Sequence, residues 1–224
     1  MKIRTVNLTR LFRVGSSEIA AVKAVNLEIN DPKLIAIMGP SGSGKSTLLN
    51  LIGLNDHPTS GEIFIDDADT SQLSNRARRK IRGTRMGFVF QTFNLFPTLN
   101  ALENVELPMA LINEPQEEQK HRAMKLLEMM GLAHRHNHRP KQLSMGEMQR
   151  VAIARALANK PEIIIADEPT GELDSKTAKD IISLLQDINK QQKTTILVAT
   201  HDERIIDAAD LVYTLQDGKL KLQN

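Results

Sequence analysis

Apolar residues recur along this chain with two periods, and the places where one gives way to the other organise it. Over residues 2–30 they come in short runs: Ile3, Val6 and Leu8, then residues 19–22, then Val25, Leu27 and Ile29. Near-alternation puts every second side chain on one face of a half-buried strand. With breaks at Gly15-Ser16-Ser17 and Asp31-Pro32, this stretch predicts an antiparallel set of short strands. Leu34-Ile35-Ala36-Ile37-Met38 is a continuous apolar run, as a strand covered on both faces requires, and residues 47–52 continue as an apolar helix. Residues 61–67 and 86–91 predict two more strands. From about 92 to 160 the period lengthens: a helix is expected over 115–130, where Met124, Leu127 and Met130 share a face and Gly131 supplies the stop. Another follows Ser144, with Val151, Ile153, Ala154, Leu157 and Ala158 as its apolar stripe. Strand and helix then alternate again, with a strand over 162–167, a helix over 175–190, a strand over 194–199 and a final hairpin turning at Asp217-Gly218. The class is therefore α/β, with an antiparallel β opening and a helical insertion.

Composition narrows the setting. The chain has 224 residues, 41% of them hydrophobic, enough for one large or two small domains with a real core. No run approaches the roughly 18–20 apolar residues of a membrane span, and residues 1–5 lead into no signal-peptide core, so the expectation is a soluble protein that stays where it is made. The absence of cysteine removes disulfide and thiolate chemistry and fits a cytosolic setting. A net charge of +2 gives no bulk attraction to nucleic acid, and no direct binding of it is expected. The cluster Arg76, Arg78, Arg79, Lys80, Arg82 and Arg85 reads as a solvated helix face, without the interleaved aromatics of a single-strand binder. His134, His136 and His138 alternate as metal ligands do, yet Arg135 and Arg139 stand among them and no cysteine or paired carboxylate joins, so a polar loop is expected. The nine methionines suit flexible packing.

Chemistry enters at Gly39-Pro40-Ser41-Gly42-Ser43-Gly44-Lys45-Ser46, which fits the phosphate-cradling pattern Gly-x-x-x-x-Gly-Lys-Ser/Thr at every fixed position. The predicted strand before it and helix after it supply the context that the pattern needs. Glycines keep Cβ atoms away from phosphate oxygens, so successive backbone N–H groups can face the anion, and the helix adds its positive end. Lys45 then reaches the β- and γ-phosphates and Ser46 ligates Mg²⁺. The second signal is Ile163-Ile164-Ile165-Ala166 ending in Asp167-Glu168. A buried strand that delivers carboxylates to its C-terminal end puts them where an α/β sheet holds its ligand. Asp167 suits Mg²⁺, and Glu168, directed differently, suits proton abstraction from an attacking water. Ser144, taken alone, reads as a helix N-cap.

Lys45 with Ser46, Gln91, Leu143-Ser144-x-Gly146, Asp167-Glu168, Leu173-Asp174 and His201 stand in the order, and at about the spacing, of the ATP-binding-cassette (ABC) ATPases, which essentially the whole chain resembles. The resemblance implies a P-loop NTPase (RecA-like) core with an N-terminal antiparallel β subdomain and an inserted α-helical subdomain. All 224 residues would form a single ABC ATPase domain, the β and nucleotide-binding parts at about 1–91 and 160–224 and the helical part at about 92–159. It implies ATP and Mg²⁺ as cofactors and a head-to-tail homodimer in which Ser144 and Gly146 of one copy cap the γ-phosphate bound by the other. Its catalytic set is Lys45, Gln91, Glu168 and His201, and its metal set Ser46, Gln91 and Asp167. Its nucleotide contacts are Phe12, residues Gly39, Pro40, Ser41, Gly42, Ser43, Gly44, Lys45, Ser46 and Thr47, and, around the interface, Ser144, Gly146, Glu147 and Asp174. Phe12 is expected to stack on adenine, His201 to contact the γ-phosphate and Asp174 to couple the two sites. The family signature usually reads Leu-Ser-Gly-Gly-Gln; Met145 and Glu147 depart from it, Met145 adding bulk and restricting backbone angles. Capping is expected to survive in a weaker dimer.

Residues 90–97, with Leu99, residues 101–105 and Leu107-Pro108, resemble the lipoprotein-release and macrolide-export (LolD and MacB) group. That implies integral membrane permease subunits as partners, a place on the cytoplasmic face of the cell membrane, and exposed apolar residues just after Gln91 as their docking groove. From the chain's end soon after Asp217-Gly218, the C-terminal regulatory domain of several importer ATPases is expected to be absent. The alternative is a non-transport ABC ATPase acting on a macromolecular complex such as the ribosome or DNA. Those proteins usually carry two cassettes, coiled-coil arms or zinc modules. An inactive module would lack Glu168 or His201, and a P-loop kinase would lack the Ser144 signature.

Overall fold

The computed structural model describes residues 1–15 and 17–223. Two sheets meet in it. The first is antiparallel, in the order β2-β1-β4-β5: β1 Ile3–Val14, β2 Ser17–Ile29, β4 Ser60–Ile65 and β5 Ala68–Asp69. The short strands expected over residues 2–30 are in fact two long ones, of 12 and 13 residues. Their ladder slips register three times between Thr5 and Leu11, and Asn7 and Ala24 adopt left-handed φ of 46° and 48°. A bulge breaks the alternation of side chains without ending the pairing, which is why the sequence reads as fragments. Of the predicted break at Gly15-Ser16-Ser17, Ser16 lies outside the described residues.

The second sheet has the order β10-β9-β3-β8-β7-β6, from β3 Leu34–Met38, β6 Met86–Val89, β7 Ile163–Asp167, β8 Thr195–Thr200, β9 Leu211–Gln216 and β10 Lys219–Leu222. All its pairings are parallel except the final hairpin. That hairpin turns at Asp217 and Gly218, with φ of 50° and 75°, the pair of left-handed residues that matches the twist of the flanking strands. The central strands are covered on both faces. Leu34 and Ala36 of β3, Ile196 and Val198 of β8, and Ile164 and Ala166 of β7 face one core; Ile35 and Ile37, Leu197 and Ala199, and Ile163 and Ile165 face the other. Each fully buried aliphatic side chain contributes roughly 1.5–3 kcal/mol, so the sheet is the rigid part of the molecule.

Helix α1 Lys45–Ile52 follows β3 and packs in the second core. Helices α3 Ala101–Ala110, α4 Gln116–Met129 and α5 Met145–Leu157 pack on one another and on the first core through Val105, Met109, Leu127 and Val151. Helix α6 Ser175–Gln192 and the short α7 Glu203–Ala208 complete that layer. Helix α2 Asn75–Arg85 corrects one expectation: its basic residues are not all solvated. Arg78 is buried and donates to the Asp56 carbonyl at 2.9 Å, Arg82 donates to the Leu54 carbonyl at 2.8 Å, and Arg85 bridges Asp66 and Glu162. The chain leaving α1 exposes carbonyls that lack helical partners, and the inner face of α2 satisfies them. Only Arg76, Arg79 and Lys80 face water. The histidine loop holds no metal-ligand group among the described residues; His136 Nδ1 sits 2.8 Å from the Ala133 carbonyl and Arg135 3.2 Å from His138. No helix among the described residues is long and apolar enough to cross a membrane.

Candidate nucleotide-binding and catalytic site

Because β3, β8, β7 and β6 run parallel and adjacent, the segments leaving their C-terminal ends all emerge on one edge of the sheet. After β3 comes the glycine loop, after β8 His201, at the end of β7 Asp167-Glu168, and after β6 Gln91. Residues distant in the chain are thereby brought around an open cleft of about 700 Å³. Its lining includes Gly42, Gly44, Lys45, Ser46 and Thr47 together with Gln91, Asp167, Glu168 and His201, and Phe12.

The loop needs its glycines. Gly44, the N-cap of α1, has φ 102°, and a Cβ there would collide with the Ala21 carbonyl; one on Gly39 would collide with the Leu215 carbonyl. Gly42 is left-handed at φ 78°. Pro40 and Ser41 are exposed, whereas Ser43 is buried with its hydroxyl unpartnered. Lys45 is 7% exposed, and its ammonium folds back on the loop, donating to the carbonyls of Gly39 at 2.8 Å and Pro40 at 3.2 Å. It also lies 3.8 Å from Glu168 Oε1.

The carboxylates of Asp167, which ends β7, and of Glu168 beyond it have different partners. Asp167 Oδ1 is buried without a partner, and burial raises the Asp167 pKa above its ordinary value, against the pull of the Ser46 hydroxyl. An orphaned carboxylate oxygen opposite a serine hydroxyl, both in oxygen-ligand chemistry, fits a small hard cation. Glu168 stands in a left-handed backbone, φ 46°. Its Oε1 lies 3.0 Å from His201 Nδ1, and its N–H donates to the Ala199 carbonyl on β8. Gln91 donates Nε2 to Glu172 at 2.9 Å, so its amide is held at the rim of the cleft. Phe12 is 39% exposed, with the Arg10 guanidinium 4.8 Å from its ring centre; Arg10 is itself paired with Asp56.

Ser144, Gly146, Glu147 and Asp174 do not line this cleft. Ser144 is the exposed N-cap of α5: its hydroxyl accepts from the Glu147 N–H at 3.2 Å while Glu147 accepts from the Ser144 N–H at 2.8 Å and from Arg135 at 3.0 Å. That backbone hydrogen bond, more than the arginine, holds the Glu147 carboxyl below its usual range. Met145 occupies the first helical position without left-handed φ, so the backbone restriction expected of it has no cost in this state; its bulk remains, half exposed. A Cβ on Gly146 would press on Thr177 of α6, whose own N-cap is Asp174, accepting from Lys176 and Thr177. Sequence reasoning missed Gln149 and Arg155, polar side chains that α5 turns inward. Gln149 is fully buried and donates to the Pro169 carbonyl at 2.6 Å, one residue beyond Glu168. The only available signal was a polar residue interrupting an apolar stripe.

The family profile described as "ABC transporter" matches residues 22–171. The chain belongs to that family. It is 48% identical to the ABC transporter ATP-binding protein MJ0796 of Methanocaldococcus jannaschii, over 98% of this chain and 95% of that one. It is 42% identical to the lipoprotein-releasing system ATP-binding protein LolD 2 of Caulobacter vibrioides, over 96% and 95%. With the macrolide export ATP-binding/permease protein MacB of Burkholderia pseudomallei it shares 42% identity, over 97% of this chain and a 33% share of the longer relative. The solved dimer of the MJ0796 cassette in a post-hydrolysis state, bound to ADP and Pi, superposes with a TM-score of 0.92 at 46% identity, over 99% and 98% of the two chains. The fold is that of the ABC cassette, and the protein is an ABC transporter ATP-binding subunit that hydrolyses ATP.

Proposed function

We propose that this ATPase works as a homodimer closing around two ATP molecules, and that closure and reopening drive a separate membrane permease of the lipoprotein-release or macrolide-export type. The observation that carries the reading is the separation on one chain of two complementary halves. The cleft gathers the glycine loop, Asp167, Glu168 and His201, while Ser144 and Gly146 present a capped, exposed helix N-terminus elsewhere. An anion site at a helix end gains its ligand only when a second copy brings one, so ATP binding and dimerisation are linked. The solved structures of the MJ0796 cassette are dimeric, one of them bound to ADP and Pi, and this supports dimerisation.

In this mechanism the N–H groups of residues 42–46 hold the β- and γ-phosphates, and Lys45 exchanges the loop carbonyls for phosphate oxygens. Phe12, backed by Arg10, stacks on adenine. Asp167, with Ser46 and Gln91, would hold Mg²⁺, which neutralises phosphate charge when bound. Glu168 accepts the proton of the water that attacks the γ-phosphorus, leaving ADP and phosphate; help of this kind is worth about 10²- to 10⁴-fold in rate. His201 steadies Glu168 and meets the γ-phosphate, and Asp174 joins the two sites. Residues 92–159 act as the helical subdomain that carries the signature and receives the permease.

Of the apolar residues expected just after Gln91 to form the docking groove, Phe96 fits best, with Phe90 beside it, and Phe93 and Leu95 do not. Phe93 is buried and Leu95 packs on the core, whereas Phe96 is half exposed and lines, with Phe90 and Pro108, a mainly apolar groove of about 320 Å³. Membership of the ABC transporter family and likeness to the lipoprotein-releasing ATP-binding protein support a peripheral subunit on the cytoplasmic face of the membrane. Lys45→Ala tests the nucleotide site: ATP turnover is expected to fall by at least about 10²-fold, as when a charge-stabilising donor is removed. Near-normal turnover would refute the assignment.

A further inference from the structure

Helix α5 ends beneath the docking groove, and Arg155 in its last turn faces inward. Its Nη2 donates to the Phe93 carbonyl at 2.8 Å and its Nη1 to the carbonyl of Asn94. Among the described residues it has no carboxylate partner, so the two carbonyls are what satisfy this guanidinium. They belong to an unusual turn. Phe93 and Asn94 both adopt left-handed φ, 61° and 48°, a region asparagine tolerates and phenylalanine rarely enters. Local hydrogen bonds close the turn on itself, from the Phe93 N–H to the Phe90 carbonyl at 3.1 Å and from the Asn94 N–H to the Thr92 carbonyl at 2.6 Å. Gln91 sits inside this turn, two residues before Phe93, and its side chain lines the ATP cleft. Arg155 itself lines the groove on the other side of the same loop, with Phe90, Asn94 and Phe96.

We propose that Arg155 is a positioning residue: by pinning the left-handed pair Phe93-Asn94 it sets the place of Gln91 in the ATP cleft, and a partner entering the groove reaches the cleft through this guanidinium. The inference deepens the ATPase and docking reading and rests on it. The planar guanidinium fork holds the two carbonyls in one fixed geometry; an ammonium can reach carbonyls too, but its rotating donors on a flexible stem do not fix their relative position. Loss of the fork releases the turn, leaves the glycine loop untouched and misplaces Gln91, and a misplacement of about 1 Å can cost on the order of 10²-fold in rate.

Arg155→Gln and Arg155→Lys are compared with the wild type by steady-state ATPase, by affinity for a fluorescent ATP analogue, by melting temperature and by hydrogen exchange of peptides covering residues 90–97 and 36–48. For Arg155→Gln the expected result is a kcat lowered at least tenfold, analogue affinity within about twofold of wild type, and faster exchange at 90–97 with none added at 36–48. Arg155→Lys regains part of the rate. An unchanged kcat overturns the proposal. So does a kcat that falls only in step with analogue affinity and melting temperature, which is what a purely structural arginine produces. Wild type that neither binds the analogue nor turns over ATP would instead remove the ATPase reading on which the proposal stands.

Discussion

At the residue scale the site is set by positions where one atom more or less decides the outcome. Gly44 combines φ 102° with a Cβ position inside the Ala21 carbonyl, so neither strain nor steric relief by a side-chain rotation is open to a substitute. Gly44→Ala is therefore expected to abolish binding of a fluorescent ATP analogue while far-ultraviolet circular dichroism stays native; retained affinity would show that the loop can rearrange. Lys45, Ser46, Asp167 and Glu168 were legible because their chemistry requires fixed spacing next to strand ends, a pattern visible in one sequence. Gln149 and Arg155 were not. Each acts through a backbone carbonyl 20 or more residues away, and nothing local distinguishes a polar side chain bound to such a carbonyl from one in water.

At the element scale, helix α5 carries both the signature and its departure. Glu147 reciprocates the Ser144 cap and pairs with Arg135, and the cap hydrogen bond lowers its pKa from 4.5. A carboxyl whose native pKa is depressed contributes stability that is complete above its unfolded value and lost as pH falls through the native one. Glu147→Gln keeps a capping geometry but not the charge, so it is expected to cost about 0.3–1.5 kcal/mol at pH 7. Denaturation midpoints of the two proteins should begin to approach each other as pH falls past 4.5, the ordinary pKa of this carboxyl, and meet only below its lower native pKa; a difference independent of pH would mean that the charge is irrelevant. The helices and the parallel strands followed the apolar periods closely, and the 115–130 reading lies within a residue of α4 at either end. The first two strands did not, because bulges shift the side-chain pattern while the backbone pairing continues.

At the scale of the whole molecule, the parallel sheet gathers the chemistry and the helical layer carries it outward to the groove. With the permease present, Phe96→Ala should reduce transport-coupled ATP turnover severalfold and leave the basal rate of the isolated subunit within about twofold, since interface anchors of this kind dominate binding. Equal stimulation in mutant and wild type would remove the groove from the docking surface. The overall architecture was legible from the order of its elements. The burial of Phe93 beside the exposure of Phe96 was not, because neighbouring phenylalanines look alike until the turn at residues 93 and 94 directs them.

The claim that two copies enclose ATP is tested most directly by the mass of the Glu168→Gln protein in light scattering. Without nucleotide it should weigh one 25.0 kDa chain, and with saturating ATP it should double, because the proton acceptor is gone and the closed state cannot discharge. A protein that binds ATP yet keeps the mass of a single chain would contradict the account.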